Sequence, residues 1–344
     1  MTGTIPAAGF RVARSTTASK IGVIVALPVV GVLVALPYLF PSGIQQSLVQ
    51  LFILIIMGTM WNLLAGYAGM VSIGQQAYIG IGGYGLVAAA NLWRVDPFLA
   101  IFVGALVAAV VAIPVSFLIF RLSGGYFAIG TWVVAEVVMQ ITSRIPGLGG
   151  GVGMNLVGMT ALAPTRRIAY VYWLGLALVV LAVAVTYLLM RSRLGAGFTA
   201  IRDDPIASAS LGVPVTRSKR ITYVIAAAGC AFAGGLLAIS TLQVKPDSMF
   251  SVNFASYMIF IVVIGGLGTI EGPILGAIVF FALQQWLSAL GAWYLVILGV
   301  LAVLLTLLLP RGLWGLAADR GIRLFPVGYR LVLSKGRTTK SLSN

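Results

Sequence analysis

Residues 98–120 read FLAIFVGALVAAVVAIPVSFLIF, a run without any charged side chain that decides the fold class. A helix needs about 20 predominantly apolar residues to cross the hydrocarbon core of a bilayer, so this run is long enough to span a membrane. Comparable runs occur at 21–40, 45–66, 77–93, 126–142, 168–190, 221–243, 254–270, 272–289 and 292–310. The sequence therefore predicts an all-α, polytopic membrane bundle of about 10 transmembrane helices.

The number of crossings depends on one junction. The runs 254–270 and 272–289 abut across Glu271 and could instead form one broken or re-entrant pair. The predicted number of crossings therefore ranges from about 9 to about 11. The run at 21–40 is too long for the apolar core of a signal peptide, so it is interpreted as a retained first helix.

Composition agrees with a membrane protein and excludes several other classes. Of 344 residues, 60% are apolar and 8% are charged, which is too little charge to cover a soluble globule of this length. Seven acidic residues and no histidine disfavour a metal centre, and no metal or other cofactor is expected. The sequence contains no phosphate-binding G-x-x-x-x-G-K-[ST] loop, so any ATPase activity would belong to a partner.

Basic residues predict the orientation, because short cytoplasmic connections are enriched in lysine and arginine. With both termini in the cytoplasm, only five of the 22 basic residues fall outside: Arg94, Arg144, Arg166, Arg167 and Lys245. This asymmetry explains the net charge of +15 without a nucleic-acid partner. The predicted division is a cytoplasmic segment 1–20, a permease domain 21–310 and a basic tail 311–344, with loop 143–167 outside and loop 191–220 inside.

The inner loop 191–220 contains a short helix with recognisable ends. Asp204-Pro205 is a start signal, because aspartate accepts from free N–H groups and proline is tolerated at the first helical position. Leu211-Gly212 is the matching stop signal. The residues between them are mostly small, which suits a groove on another protein, although an ordinary interfacial connector has the same features. Flanking bases would bind anionic headgroups or acidic partner residues: Arg193, Arg202, Arg217, Lys219 and Arg220.

Two glycine-dense stretches, 62–84 and 265–277, lie at membrane depth. Small residues are first of all helix-packing devices in membranes, and that interpretation is favoured for the glycines. The polar residues need partners in a dry interior, and interrupted segments of this kind are where permeases form their pathways. The candidate pathway residues are Asn62, Tyr67, Ser72, Gln75, Gln76, Glu136, Thr269 and Glu271.

Glu136 stands alone near the middle of the run 126–142. An acidic side chain at that depth costs on the order of 2–3 kcal/mol, so we expect it to face the bundle interior or a cavity. It would line the route, be protonated, or fix a neighbouring helix by hydrogen bonds. Thr131 lies five residues earlier and therefore on a different face of the helix.

Taken together, four segments resemble the branched-chain amino acid ABC importer permeases of the Liv type. These segments are Asn62–Tyr84, Tyr126–Glu136, the loop 191–212 and Gly265–Ala277, in the same order along the chain. The resemblance implies a multi-pass permease of the bacterial inner membrane that is itself no enzyme. It also implies a second related permease subunit, two cytoplasmic ATP-binding subunits and an external substrate-binding protein as partners.

The resemblance also implies roles for particular residues. The segment 202–212 corresponds to the helix that docks into the ATPase, with Arg202, Asp203, Asp204, Pro205, Ala207, Ala209, Leu211 and Gly212 as coupling residues. The outer loop would meet the binding protein through Gly149, Gly150, Gly151 and Asn155, although Leu148 departs from the family's usual threonine start. Gln75-Gln76 stands where relatives commonly have Gly-His or Gly-Gln.

Other functions remain open at the level of sequence. A permease for a simple sugar or for urea in the same superfamily would have a similar pattern, because apolar pathways do not identify their substrate. An ion-coupled secondary carrier would be expected to have more intramembrane acids than Glu136 and Glu271. An intramembrane enzyme lacks a convincing base, nucleophile or metal constellation.

Overall fold

The computed structural model describes residues 10–13, 17–159, 163–287, 291, 293–308, 311–319, 325 and 330–333. These residues are mostly helical. Helices satisfy all their backbone hydrogen bonds internally, as a chain surrounded by lipid must do. The predicted all-α membrane fold is confirmed.

Fourteen helices are formed by the described residues. They are α1 (Thr17–Leu39), α2 (Ser42–Asn62), α3 (Gln76–Leu92), α4 (Pro97–Ile119), α5 (Gly125–Arg144), α6 (Pro164–Arg191), α7 (Arg193–Asp203), α8 (Pro205–Ser210), α9 (Val215–Thr241), α10 (Pro246–Met249), α11 (Asn253–Gly265), α12 (Glu271–Leu287), α13 (Trp293–Leu308) and α14 (Gly312–Asp319). A π-helical turn, Leu63–Tyr67, continues α2, and two 3-10 turns form at Pro146–Leu148 and Gly150–Val152.

Each predicted apolar run coincides with one helix, namely α1, α2, α3, α4, α5, α6, α9, α11, α12 or α13. Within the described part of the chain, six stretches are both long and apolar enough to cross a membrane: Ser42–Tyr67, Pro97–Ile119, Gly125–Arg144, Pro164–Arg191, Val215–Thr241 and Pro246–Gly265. The total of ten crossings stays a prediction that is compatible with this arrangement.

The helices α11 and α12 form a closely packed hairpin. A Cβ on Gly265 would meet the carbonyl oxygen of Gly272, and a Cβ on Gly276 would meet that of Ile261. Tyr257 and Phe280 stack further along the pair, with ring centroids 5.1 Å apart. Because residue numbers rise on one helix as they fall on the other, the chain reverses direction between Gly265 and Glu271.

The centre of the bundle is built from α2, α3, α4 and α9, where small residues let backbones touch. A Cβ on Gly82 would meet the carbonyl oxygen of Ala231, and one on Gly234 would meet that of Ile79. Gly85 approaches Gly104 of α4 in the same way. Gly82, which lies in the glycine-dense stretch 62–84, therefore acts as a helix-packing residue, as the sequence predicts.

The connections gather at two ends of the bundle. At one end, the π-turn after α2 contacts α7 and the segment between α11 and α12. At the other, strand β2 (Met154–Asn155) pairs with β3 (Gln243–Val244), and Asn91 donates to the carbonyl oxygen of Asn155. Strand β1 (Phe10–Ala13) pairs antiparallel with β4 (Arg330–Leu333), so the segments near both termini lie together. This sorting agrees with the predicted alternation of inner and outer connections.

Candidate functional site

Asn62 joins the two glycine-dense stretches at the end of the bundle that carries α7. Its side-chain nitrogen donates to the carbonyl oxygen of Thr269 at 2.7 Å, and its side-chain oxygen accepts from the backbone N–H of Gly268 at 2.8 Å. The Asn62 side chain is buried. One amide thus satisfies two backbone groups of the non-helical segment 266–270, which would otherwise lack partners inside the bundle. We call Asn62, Gly66 and segment 266–270 the Asn62 junction.

Glycine is required where the two sides of the Asn62 junction touch. A Cβ on Gly66 would lie 2.6 Å from the backbone nitrogen of Gly268 and would overlap the side-chain oxygen of Asn62. Gly268 has a φ of +74°, a conformation that residues with a Cβ rarely adopt. Thr269 completes the turn, because its hydroxyl accepts from the N–H of Gly272 at 3.0 Å.

Arg202 connects the inner loop to the Asn62 junction. Its Nη1 donates to the carbonyl oxygen of Gly66 at 2.9 Å and lies 3.1 Å from where a Cβ of Gly268 would be. Its Nε pairs with Asp203 at 3.2 Å. A charge-assisted hydrogen bond of this kind is stronger than a neutral one, so the guanidinium holds Gly66 while it lies close to Gly268.

Helix α7 is fixed to the same end of the bundle by apolar packing. Phe198 of α7 is fully buried in a cluster with Leu63 and Tyr67 of the π-turn, Met190 of α6 and Ile270. Small displacements of a packed cluster pass to its neighbours, because protein interiors are close-packed. The inner loop is therefore anchored to the bundle at α7.

Helix α8 has the ends that the sequence predicts. The carboxylate of Asp204 accepts from the N–H groups of Ile206 at 2.8 Å and Ala207 at 3.0 Å, which is N-cap geometry. Gly212 follows the helix with a φ of +81°. The surface between them is not smooth, since Ile206 and Leu211 are 80% and 83% exposed, whereas Ser208 is buried. Ala207 and Ala209 of the predicted small-residue face are exposed, and the protruding Ile206 beside them was not among the predicted residues.

The chain between the π-turn and α3 is non-helical and mostly buried, although Gly69 and Val71 are exposed. Trp61 donates from its indole nitrogen to the carbonyl oxygen of Ser72 at 2.8 Å, and the hydroxyl of Ser72 accepts from the N–H of Gly74 at 3.3 Å. Gln75 and Gln76 are buried as well. Among the described residues, the side-chain oxygens of Gln75 and Gln76 and the hydroxyl of Tyr67 lack hydrogen-bond partners. Such atoms cost about 1–3 kcal/mol each when buried.

Helix α5 packs on this segment with one face and exposes the other. The hydroxyl of Thr131 accepts from the N–H of Ile73 at 3.2 Å, and Thr131 is buried, whereas Glu136 and Trp132 are exposed. The expectation that Glu136 faces the interior of the bundle is therefore wrong for the single chain. Thr131 already occupies the inward face, and Glu136 lies too far around the helix to share it.

Glu271 lies at the inner end of α12 and is buried. Its carboxylate accepts from the backbone N–H of Phe325 at 2.7 Å. The ring of Phe325 in turn lies 5.6 Å from that of Tyr187 on α6. Glu271 thus ties residue 325 to the bundle. It is also the first residue of α12, where a negative charge interacts favourably with the helix dipole.

The outer loop is held at one point and exposed at another. The side chain of Asn91 donates to the carbonyl oxygen of Asn155 at 2.9 Å and accepts from the N–H of Val157 at 3.0 Å. Gly149 and Gly150 have φ values of +78° and +57°, a backbone conformation that glycine adopts more readily than residues with a Cβ. Gly151 and Asn155 are exposed, and Gly149 and Gly150 are half-buried.

Residues 43–307 match the family model described as the permease component of the branched-chain amino acid transport system. The chain belongs to this permease family. The permease is accordingly a multi-pass protein of the cell membrane, and it is one component of a transport system with further subunits.

The permease is similar to two curated proteins along most of its length. It is 29% identical over 306 residues to the high-affinity branched-chain amino acid transport system permease protein LivM of Salmonella typhimurium, covering 81% of this chain and 72% of the relative. It is 30% identical over 307 residues to LivM of Escherichia coli, with the same coverage. The fructose import permease protein FrcC of Rhizobium meliloti is 29% identical over 142 residues, 39% of each chain. No solved structure matches the permease significantly.

The structure of the permease brings together part of the predicted site. Asn62, Thr269 and Arg202 meet at the Asn62 junction, with Tyr67 nearby and Ser72, Gln75 and Gln76 following along the chain. Glu136 and the outer loop lie elsewhere. Asn91 and Ile206 were absent from the predicted set, because neither stands in a glycine-dense or charged pattern.

Proposed function

We propose that the permease is the membrane-spanning subunit of an ABC importer for branched-chain or other neutral amino acids, driven by ATPase subunits through α8. The observation that carries this proposal is the hydrogen bond from Arg202 to the carbonyl oxygen of Gly66. It joins the loop that a cytoplasmic partner would reach to the non-helical segments inside the bundle.

The exposed side of α8 has the chemistry of a docking surface. Ile206 and Leu211 project from it, and the cap at Asp204 holds the helix in place without a partner. An ATPase groove would bury both apolar side chains, each worth about 1.5–3 kcal/mol when fully buried. Two ATP-binding subunits would supply one groove for this permease and one for a second permease.

Movement of α8 would reach the candidate pathway in two steps. Asp203 and Arg202 end α7, so a push on α8 displaces the guanidinium that holds Gly66 and lies against Gly268. The Asn62 junction then shifts relative to segment 69–76. This segment contains Ser72, Gln75 and Gln76, and Tyr67 lies just before it. The unpartnered oxygens of Tyr67, Gln75 and Gln76 are the groups that another conformation or a passing solute would satisfy.

The exposed face of α5 is the proposed contact with a second related permease subunit. A carboxyl group facing lipid at mid-membrane is costly, so Glu136 requires protein or a water-filled cavity opposite it. A second subunit on this face would provide protein opposite Glu136 and would enclose a water-filled cavity. The substrate route would then run between the two permeases. Thr131, on the other face of the same helix, connects that route to segment 69–76.

The outer loop is the proposed contact with an external substrate-binding protein. Loop 143–167 presents Gly151 and Asn155 at its surface, while Gly149 and Gly150 shape the turns below them. Asn91 fixes the loop to the end of α3. The proposed division into segment 1–20, permease domain 21–310 and tail 311–344 assigns this loop to the outside and loop 191–220 to the cytoplasm. In this scheme the permease holds no ATPase site, metal or other cofactor.

The proposed substrate class follows the long match to LivM. A simple sugar is the second candidate, because the local similarity to FrcC spans 142 residues. Uptake of labelled leucine, fructose and urea by proteoliposomes that contain the assembled complex distinguishes these substrates.

The same proteoliposomes test the coupling route. Arg202→Ala removes the hydrogen bond to Gly66, and we expect leucine uptake to fall about tenfold, since a charge-assisted bond contributes roughly 1.5–3 kcal/mol. Arg121→Ala is the matched control, an exposed arginine that follows α4 and lies outside the proposed route. Both variants should insert at the normal level. Normal uptake by Arg202→Ala would contradict the proposed route.

A further inference from the structure

The seam between α2, α6 and α9, which we call the groove, holds two separate cavities, a polar one that we call the mouth and an apolar one that we call the floor. Between them the helices pack together, since a Cβ on Gly175 would lie 3.1 Å from both Phe52 and Leu236. No part of the transport scheme uses this seam. The mouth is a cavity of about 200 Å³ lined by Gln46 and Gln50 of α2, Arg167 of α6 and Ser240 and Thr241 of α9. The floor is a second cavity of about 170 Å³ between the same three helices, lined only by apolar residues.

The mouth offers donors for an anion. Arg167 is half-buried, and within the described residues no carboxylate lies within ion-pair distance of its guanidinium. Gln46 and Gln50 add side-chain amides that are exposed towards the cavity mouth. Planar guanidinium groups bind phosphate oxygens through two parallel hydrogen bonds, so a phosphate group suits this mouth.

The depth of the mouth matches the headgroup region of a bilayer. Arg167 lies in the first turn of α6, which is 28 residues long and therefore longer than the ~20 residues that cross the hydrocarbon core. Tyr170 and Trp173 follow one turn later with rings 5.9 Å apart. Aromatic side chains of this kind mark the membrane–water interface.

The floor lies at the depth of the acyl chains. On α2 the lining passes from Gln50 to Ile56, which is about 9 Å along a helix axis at 1.5 Å per residue. Leu181 of α6 is exposed beside the floor, and Ala228 of α9 leaves room within it. An acyl chain that entered here would touch only apolar atoms.

We propose that this groove binds an anionic phospholipid, with its phosphate on Arg167 and one acyl chain between α6 and α9. The polar mouth accounts for the headgroup, and the apolar floor accounts for the acyl chain. A free phosphate ion or another soluble anion would leave the floor empty. The lipid would join α2, which ends at the Asn62 junction, and α9 to α6, which leads into the inner loop.

Native mass spectrometry of the intact complex, released from detergent supplemented with phosphatidylglycerol, tests the proposal. We expect retained phosphatidylglycerol on the wild-type complex and on Arg166→Gln, a neighbouring exposed arginine. Arg167→Gln should reduce the retained fraction about tenfold, because it removes a charge-assisted contact. Ala228→Phe should reduce it as well by filling the floor.

Three results would overturn the proposal. Equal retention by Arg167→Gln and Arg166→Gln would exclude a role for this guanidinium. Equal retention of phosphatidylcholine and phosphatidylglycerol would exclude selection of an anionic headgroup. Thermal stabilisation of the complex by inorganic phosphate or leucine, lost in Arg167→Gln, would assign the groove to a soluble ligand instead. Unchanged melting of each variant without added lipid shows that the variant is folded.

Discussion

Gly66→Ala is the sharpest perturbation of the Asn62 junction. The new methyl group would lie 2.6 Å from the backbone nitrogen of Gly268 and overlap the side-chain oxygen of Asn62, so the two segments must separate. Overpacking costs about 1–3 kcal/mol, and loss of the Asn62–Gly268 hydrogen bond adds about 1 kcal/mol. Alanine recovers at most about 1 kcal/mol of backbone entropy. The expected net loss of stability is therefore about 1–4 kcal/mol.

The matched control is Gly43→Ala in the first turn of α2, where an added Cβ has no atom within 4 Å. Thermal unfolding of both variants in the same detergent should show a lower melting temperature for Gly66→Ala only. Leucine uptake by the assembled complex should fall in parallel, because the Asn62 junction lies between the inner loop and the pathway. If Gly66→Ala melts and transports like Gly43→Ala, the close contact at the Asn62 junction is not required and the reasoning fails.

Three further predictions concern α8, α5 and the outer loop. Asp204→Ala removes the cap of α8, worth about 1 kcal/mol, and should lower leucine uptake in proteoliposomes. Asp204→Ser keeps a capping oxygen and should transport normally. Equal uptake by the two variants would refute a role for the cap. Photo-reactive benzoylphenylalanine in place of Glu136 should crosslink to the second permease subunit, whereas at the exposed Val180 of α6 it should crosslink to lipid; lipid adducts at both sites would contradict the proposed interface. Asn91→Ala removes two hydrogen bonds to the outer loop and should weaken binding of the external protein several-fold in a titration, an effect that is absent if the loop is not the docking surface.

The positions of the helices could be predicted from the sequence because apolar runs report directly on the membrane. Each predicted run coincides with one helix of the structure. The ends of α8 were also predictable, since aspartate, proline and glycine have strong local preferences. These features depend on residues that are neighbours in sequence.

The orientation of Glu136 could not be predicted correctly from one chain. The cost of burying a carboxyl group in lipid indicates that it must be shielded, but not whether the shield is its own bundle or another subunit. Thr131 and Ala135 occupy the inward face of α5, and the described part of the chain leaves Glu136 exposed.

The contacts of the Asn62 junction also lie beyond sequence patterns. Asn62 and Thr269 are 207 residues apart, and Arg202 and Gly66 are 136 apart. Each residue was predicted as part of a separate feature, a pathway or a coupling loop. That one arginine touches both glycine segments follows only from the folded arrangement.

Accumulation of labelled leucine in proteoliposomes is the most direct test of the central claim, that partner ATPases move this permease. With the second permease, both ATPases and the binding protein present, we expect accumulation against a gradient when ATP is supplied to the ATPase side. The permease alone under a proton or sodium gradient should accumulate nothing. Accumulation by the permease alone from an ion gradient would contradict the account.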